Sequence, residues 1–139
     1  RVIALTEDLG FLQGTGSSFQ PTGIINTSGV NEVKCKTSGV DTNGGTPTFD
    51  DIMDVLYAIE DNNGIASAWI MNPRTKNTLR KIKTTDGAYI YNLPSPAVRE
   101  PATLMGLPIF ITTQIPKTLT VGSSSDCAYL VTGMGTECP

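Results

Sequence analysis

Few side chains in this sequence are placed to do chemistry. Ser123, Ser124 and Ser125 form a cluster that, with a lysine, would suit Ser-Lys hydrolysis; Asp50, Asp51 and Asp54 offer carboxylates for a cation; Gly14-Thr15-Gly16 has the look of a phosphate-cradling loop; Cys35, Cys127 and Cys138 bring three thiols. Histidine is missing altogether, so neither a Ser-His-Asp nor a Cys-His pair can be built. The remaining candidates weaken one at a time. A serine run between strands reads as a plain loop. The aspartates lack the alternating twelve-residue spacing of a calcium loop, and the first two suit the positive end of a helix. The glycine loop lacks both the third glycine of a dinucleotide fingerprint and a Gly-Lys-Ser/Thr ending, and it follows a helix instead of a strand. The cysteines match no metal-knuckle spacing. They read as free thiols of a reducing compartment, with a single disulfide as the alternative. Cys127, beside an apolar strand, reads as a small core residue. The expectation is a non-enzymatic chain with no cofactor, no metal and no small-molecule substrate.

Charge narrows the partners. Ten Lys and Arg stand against thirteen Asp and Glu, a net charge of -3, whereas broad phosphate binding needs a basic face. No specific nucleic-acid contact is expected. Lys76, Arg80, Lys81 and Lys83 cluster, but at the end of a helix, where positive charge complements the dipole. No apolar run approaches the roughly 20 residues that cross a bilayer, so no membrane contact is expected, and the opening Arg1-Val2-Ile3-Ala4 lacks the pattern of a signal peptide.

The elements that would position these residues can be traced from periodicity. Val2, Leu5 and Leu9 fall at helical spacing before Gly10, so residues 1–12 read as the end of a helix cut from something longer. Pro21-Thr22-Gly23 is a turn, followed by the short apolar run Ile24-Ile25. Residues 26–47, rich in Ser, Thr, Asn and Gly, are a long surface loop or a weak hairpin. Thr48 is a helix N-cap, and Phe49, Ile52, Val55, Leu56 and Ile59 define an amphipathic helix over 48–61. Residues 66–71 form a buried strand carrying Trp69 as a core residue. Asn72 caps the next helix, with Pro73 at its first position and Leu79 and Ile82 as its apolar contacts. Pro94, Pro96 and Pro101 exclude a central strand over 92–101. Residues 107–112 and 128–132 are further strands. The fold class is α+β, a small mixed β-sheet flanked by helices, in a single domain over 1–139.

Several segments, in order, resemble the major capsid protein of tailed phages, of the Hong Kong 97 type. Residues 4–16 and Gln20-Pro21-Thr22-Gly23-Ile24 are similar to its helix and glycine-loop stretch, although Gln13 and Thr15 differ from common family residues. Trp69 to Thr75, with Asn72-Pro73, resembles its strand, Asn-Pro and helix step. Leu79 to Lys83, Asp86-Gly87 and Tyr89-Ile90-Tyr91 are similar to its next stretch, and Leu104-Met105-Gly106-Leu107-Pro108 to its Leu-x-Gly-x-Pro step. The last strand, near Tyr129, lacks the family's Gly-Asp-Phe triplet and has Ser125-Asp126-Cys127 nearby. The resemblance implies an axial domain, the part that gathers at the centre of pentameric and hexameric capsomers of an icosahedral head. It implies identical capsid subunits as partners, and a virion assembled in the cytoplasm of a bacterial host. Tyr89, Tyr91, Leu93, Pro94 and Arg99 would lie near the capsomer axis. A virion or cell-surface adhesion module is the alternative that low charge and long loops would also suit.

Overall fold

The clearest local signal, the Thr48 cap, organises the best-formed helix. In the computed structural model, which describes residues 2–37, 40–89 and 103–133, α2 (Phe49–Glu60) starts at Thr48 with a reciprocal capping box. The Asp51 backbone N–H donates to Thr48 Oγ1 at 3.3 Å, and the Thr48 N–H donates to Asp51 Oδ2 at 2.7 Å. The helix therefore begins with its free N–H groups partly satisfied, and Asp51 is accounted for by folding. Its apolar stripe packs Ile52, Phe49, Val55 and Leu56 on the core.

The sheet is four-stranded and mixed, in the order β4 (Thr103–Leu104), β5 (Leu107–Ile111), β3 (Ala68–Met71), β8 (Leu130–Gly133). Strands β3 and β5 run parallel, while β8 and β4 pair antiparallel to their neighbours. A parallel pair needs a crossover, and α3 (Pro73–Arg80) lies in it. Asn72 accepts the Arg74 N–H at 3.0 Å and Pro73 takes the first turn, the start expected from sequence. Pro108 sits near the start of β5, where its missing N–H is tolerated.

Register divides the sheet into two faces. Trp69 is aligned with Ile109 and Met71 with Ile111. Trp69, Met71 and Ile109 are buried with Ile52, Leu79 and Leu104. On the opposite face, Ile70 is aligned with Phe110 and Val131, and Phe110 stays 60% exposed. The strand read as buried is thus buried on one side only: helices cover one face of the sheet, and an apolar row crosses the other.

Outside the sheet, α1 (Val2–Gln13) ends in a tight structure built by the glycine loop. The Gly23 N–H donates to Gly14 O at 2.8 Å, and Asn26 Nδ2 donates to Gln13 O at 2.8 Å. A Cβ on Gly23 would stand 2.6 Å from Gln13 N, so this close approach needs glycine. The Gln13 side-chain amide also donates to Gln114 O. Ile24-Ile25, read as an apolar run, forms a 3-10 turn over Ile24–Asn26. The 26–47 segment holds a short, weak hairpin after a stretch without strands: β1 (Lys36–Thr37) pairs antiparallel with β2 (Val40–Gly44), with a register shift.

The serine cluster is a correction. Ser124 and Ser125 belong to β7 (Ser124–Cys127), antiparallel to β6 (Leu119–Val121), and are not a plain loop. The Ser123 N–H donates to Asn43 Oδ1 at 2.8 Å, which ties the β6–β7 hairpin to the β1–β2 hairpin.

Candidate functional site

Two surfaces could carry function: an open cleft and a set of exposed apolar patches. The cleft, of about 990 Å³, lies between the 24–35 segment, α2, α3 and β7, with Val33, Cys35, Asp51, Val55, Thr78 and Cys127 among its lining. Two of its charged groups serve the fold. The Asp51 carboxylate is held in the capping box, and the Arg74 guanidinium, at the start of α3, donates to the Asp126 carbonyl. Asp126 itself takes a φ of 61°, the left-handed region that Asp tolerates better than most residues. Among the described residues, no group of three or more His, Cys, Asp or Glu is placed to hold a metal ion. No helix of the described residues is long and apolar enough to cross a membrane.

The thiols are the reactive groups of the cleft. Cys35 and Cys127 are both unbridged and half-buried. Burial pushes the Cys35 thiol up from 9.0 to about 11; Asp51 and Cys127 add to the rise, and a hydrogen bond to its own backbone opposes it. The raised value has a sign. Below pH 9 the thiol is protonated in both folded and unfolded chains, and its contribution to stability is intact. Above that, the unfolded chain ionises first, and the contribution is lost as pH rises through the folded value near 11. Urea denaturation under reducing conditions should therefore show the wild-type chain losing stability more steeply than Cys35→Ser over this window. Parallel curves for the two chains would mean that the thiol is not desolvated.

The basic group behaves as a helix end. Arg80 lies in the last turn of α3 and Lys81 is its C-cap residue. Burial, and then the neighbouring Arg80, lower the pKa of Lys76 below its ordinary value. The Lys83 ammonium stands 4.8 Å from the centre of the Tyr89 ring, and residues 83 and 89 form an antiparallel bridge.

That bridge fixes the first residue of the expected capsomer-axis set. Tyr89 is 49% exposed at the end of a short turn, in which the Thr84 N–H donates to Ala88 O at 2.7 Å. Tyr91, Leu93, Pro94 and Arg99 lie outside the described residues, as does Cys138. Sequence reasoning missed the other surfaces. Ile3, Leu5, Leu9 and Phe11 on α1 are exposed, and among the described large apolar side chains of that helix only Leu12 is buried. A 12-residue helix is marginal by itself in water, and α1 is fastened to the rest of the chain at its C-terminal end, through Leu12 and the Gln13 amide. The signal was present in the mixture of apolar residues around the whole of α1. Phe110, flanked by buried Ile109, was likewise visible as the alternate position of a strand.

Comparison with known proteins bears on these surfaces. No curated protein sequence matches the chain significantly. Among solved structures, the capsid of a native GTA particle computed with C5 symmetry is similar, with a TM-score of 0.63 and 25% identity over 93% of this chain and 49% of that one. The capsid of an empty GTA particle computed with C5 symmetry gives a TM-score of 0.59 and 26% identity over 89% of this chain and 43% of that one. The chain thus spans about half the length, or somewhat less, of these capsid chains. The α-helices and small mixed sheet of its described residues are of the same fold. The family model of the phage capsid family matches residues 1–133, which takes in every helix and strand described above, and the chain belongs to that family.

Proposed function

We propose that this chain is the axial part of a major capsid protein, a structural and non-enzymatic subunit of a tailed phage or prophage head. The observation that carries the reading is the family match over residues 1–133. In this reading the domain gathers with identical copies into pentamers and hexamers, and the head forms in the bacterial cytoplasm. The C5 symmetry named for both similar capsids supports five-fold self-association. A closed ring needs two different, complementary patches on each subunit. The apolar α1 surface and the Ile70–Phe110–Val131 row are candidates, as they leave large side chains in water. Small-molecule, nucleic-acid and membrane partners have no place in this role.

Tyr89, Tyr91, Leu93, Pro94 and Arg99 are proposed to approach the capsomer axis. In the complete gene product, alanine at these five positions should abolish or strongly reduce closed shells in negative-stain electron microscopy. Thermal unfolding of the same variant should shift little, as expected of residues that serve the contact between subunits and not the folding of one subunit. Normal shells from the variant would remove these residues from the axis. A complete wild-type product that stays monomeric at high concentration would overturn the capsid reading itself.

A further inference from the structure

Two thiols among the described residues have no part in the proposed shell role. Cys35 and Cys127 are distant in sequence but line the same cleft. The backbone brings them to one junction. Cys35 directly precedes Lys36, whose Cα is registered opposite Gly44. Gly44 in turn lies against Cys127: a Cβ at position 44 would stand 2.6 Å from Cys127 Sγ and 3.8 Å from Cys127 Cβ. The absent side chain at 44 is what lets Cys127 rest on the end of β2. Asn43 and Ser123 join the same two hairpins one residue away.

We propose that Cys35 and Cys127 form a disulfide on exposure to a small-molecule disulfide such as oxidised glutathione, closing a covalent clasp between the β1–β2 and β6–β7 hairpins. In the first step one cysteine loses its proton to solvent, and its thiolate attacks a sulfur of glutathione disulfide. The glutathione S–S bond breaks and one glutathione thiolate leaves, taking up a proton. In the second step the other cysteine, deprotonated in turn, attacks the protein-side sulfur of the mixed disulfide and releases the second glutathione thiolate. Two protein thiols become one disulfide, and two electrons pass to one glutathione disulfide, which becomes two thiols. A disulfide requires Cα atoms within roughly 4.4–6.8 Å. The register shift between Lys36 and Thr37 lies beside Cys35, at a point where strand geometry is already irregular. Because Cys35 keeps its proton to about pH 11, the clasp should form slowly at neutral pH and faster in mild alkali.

The test uses the folded, reduced 139-residue chain, incubated with oxidised glutathione in mild alkali, quenched with acid, alkylated and digested without reduction. Mass spectrometry should find the Cys35–Cys127 linked peptide as the dominant product, with two hydrogens lost per chain. The melting temperature should rise by roughly 5–15 °C and return on reduction. The same product should form in Cys138→Ser. In urea its dominance should vanish, since the fold no longer selects the pair. Recovery of Cys35 and Cys127 as free thiols, as separate glutathione adducts, or joined to Cys138 or to another chain would overturn the pairing. The outcome is read on single chains, so it stands or falls independently of shell assembly.

Discussion

Trp69→Ala should be among the most damaging single substitutions in this chain, lowering stability by about 3–5 kcal/mol. Trp69 is fully buried on the central strand β3, between β5 and β8, where its neighbours in the core are Ile52, Met71, Leu79, Leu104 and Ile109. These come from α2, α3, β3 itself and two other strands, so the cavity left by the indole would open where the helices meet the sheet. A second loss adds to the first. The indole N–H donates to Leu104 O at 3.0 Å, and its removal leaves a buried carbonyl without that partner, at a cost of about 1–3 kcal/mol. Trp69→Phe separates the two effects. It keeps most of the apolar volume and loses the hydrogen bond, and should cost roughly half as much as the alanine. Domains of this size have only about 5–15 kcal/mol in total, so Trp69→Ala is expected to bring the chain close to unfolding at moderate temperature. The protein has a single tryptophan, and the substitution removes the natural fluorophore. Urea unfolding should therefore be followed by far-ultraviolet circular dichroism, with the midpoint falling and the slope unchanged. A midpoint within experimental error of wild type would mean that the sheet does not close on this residue.

What the sequence made legible and what it hid divide along a physical line. Helix α2 was readable because its cap, its acidic first turn and its apolar stripe all lie within fourteen consecutive positions, residues 48–61, and agree with one another. The same holds for the Asn72-Pro73 start of α3. The β6–β7 hairpin was not readable. Ser124 and Ser125 have no strand pattern of their own, and β7 exists because β6 pairs with it and because Asn43 accepts from Ser123. Strand preference of this kind is set by neighbours more than by the residue. Ile24-Ile25 could be read only as an apolar run for a related reason: two apolar residues carry no periodicity, and the turn is closed by the Asn26 N–H donating to Gly23 O.

The candidate site was less legible than the fold. The five capsomer-axis residues came from resemblance, not from spacing, and of these Tyr89 alone falls among the described residues, held by Lys83. The cleft thiols had no local signal. Cys35 sits in a polar stretch that suggests exposure. Its burial arises only when segments from four parts of the chain converge around it. The matter is the same for Gly44, whose significance lies in a cysteine more than eighty positions away.

Asn72→Ala is the second substitution expected to have a large effect, about 2–4 kcal/mol, although it removes only a small polar side chain. Asn72 is buried, at 5% exposure, and each end of its amide has a separate task. The oxygen accepts the Arg74 N–H at 3.0 Å and so caps α3; loss of such a cap costs about 0.5–2 kcal/mol. The Nδ2 group donates to Ile115 O at 3.0 Å. Ile115 is almost wholly buried, so its carbonyl would lose a partner where water cannot easily replace it, for about 1–3 kcal/mol more. The two contributions can be separated because they require different chemistry. Serine can cap but is too short, with one hydroxyl, to serve both partners; Asn72→Ser should recover the capping share, about 1 kcal/mol, and leave the rest of the loss. Asn72→Asp can also cap, yet it sets a carboxylate against the Ile115 carbonyl in a buried place and should be at least as harmful as alanine at neutral pH. The expected order of urea midpoints is wild type, then serine, then alanine and aspartate together. If aspartate instead matched wild type, the side chain would be acting as a cap alone and the tie to Ile115 would carry no energy. The tie matters to the proposed role because residue 115 lies in the segment that follows β5 and also receives the Gln13 amide from the end of α1. One buried asparagine thus links the sheet, α3 and the segment to which the exposed α1 helix is fastened, and loosening it should blur the placement of that apolar helix before it unfolds the sheet.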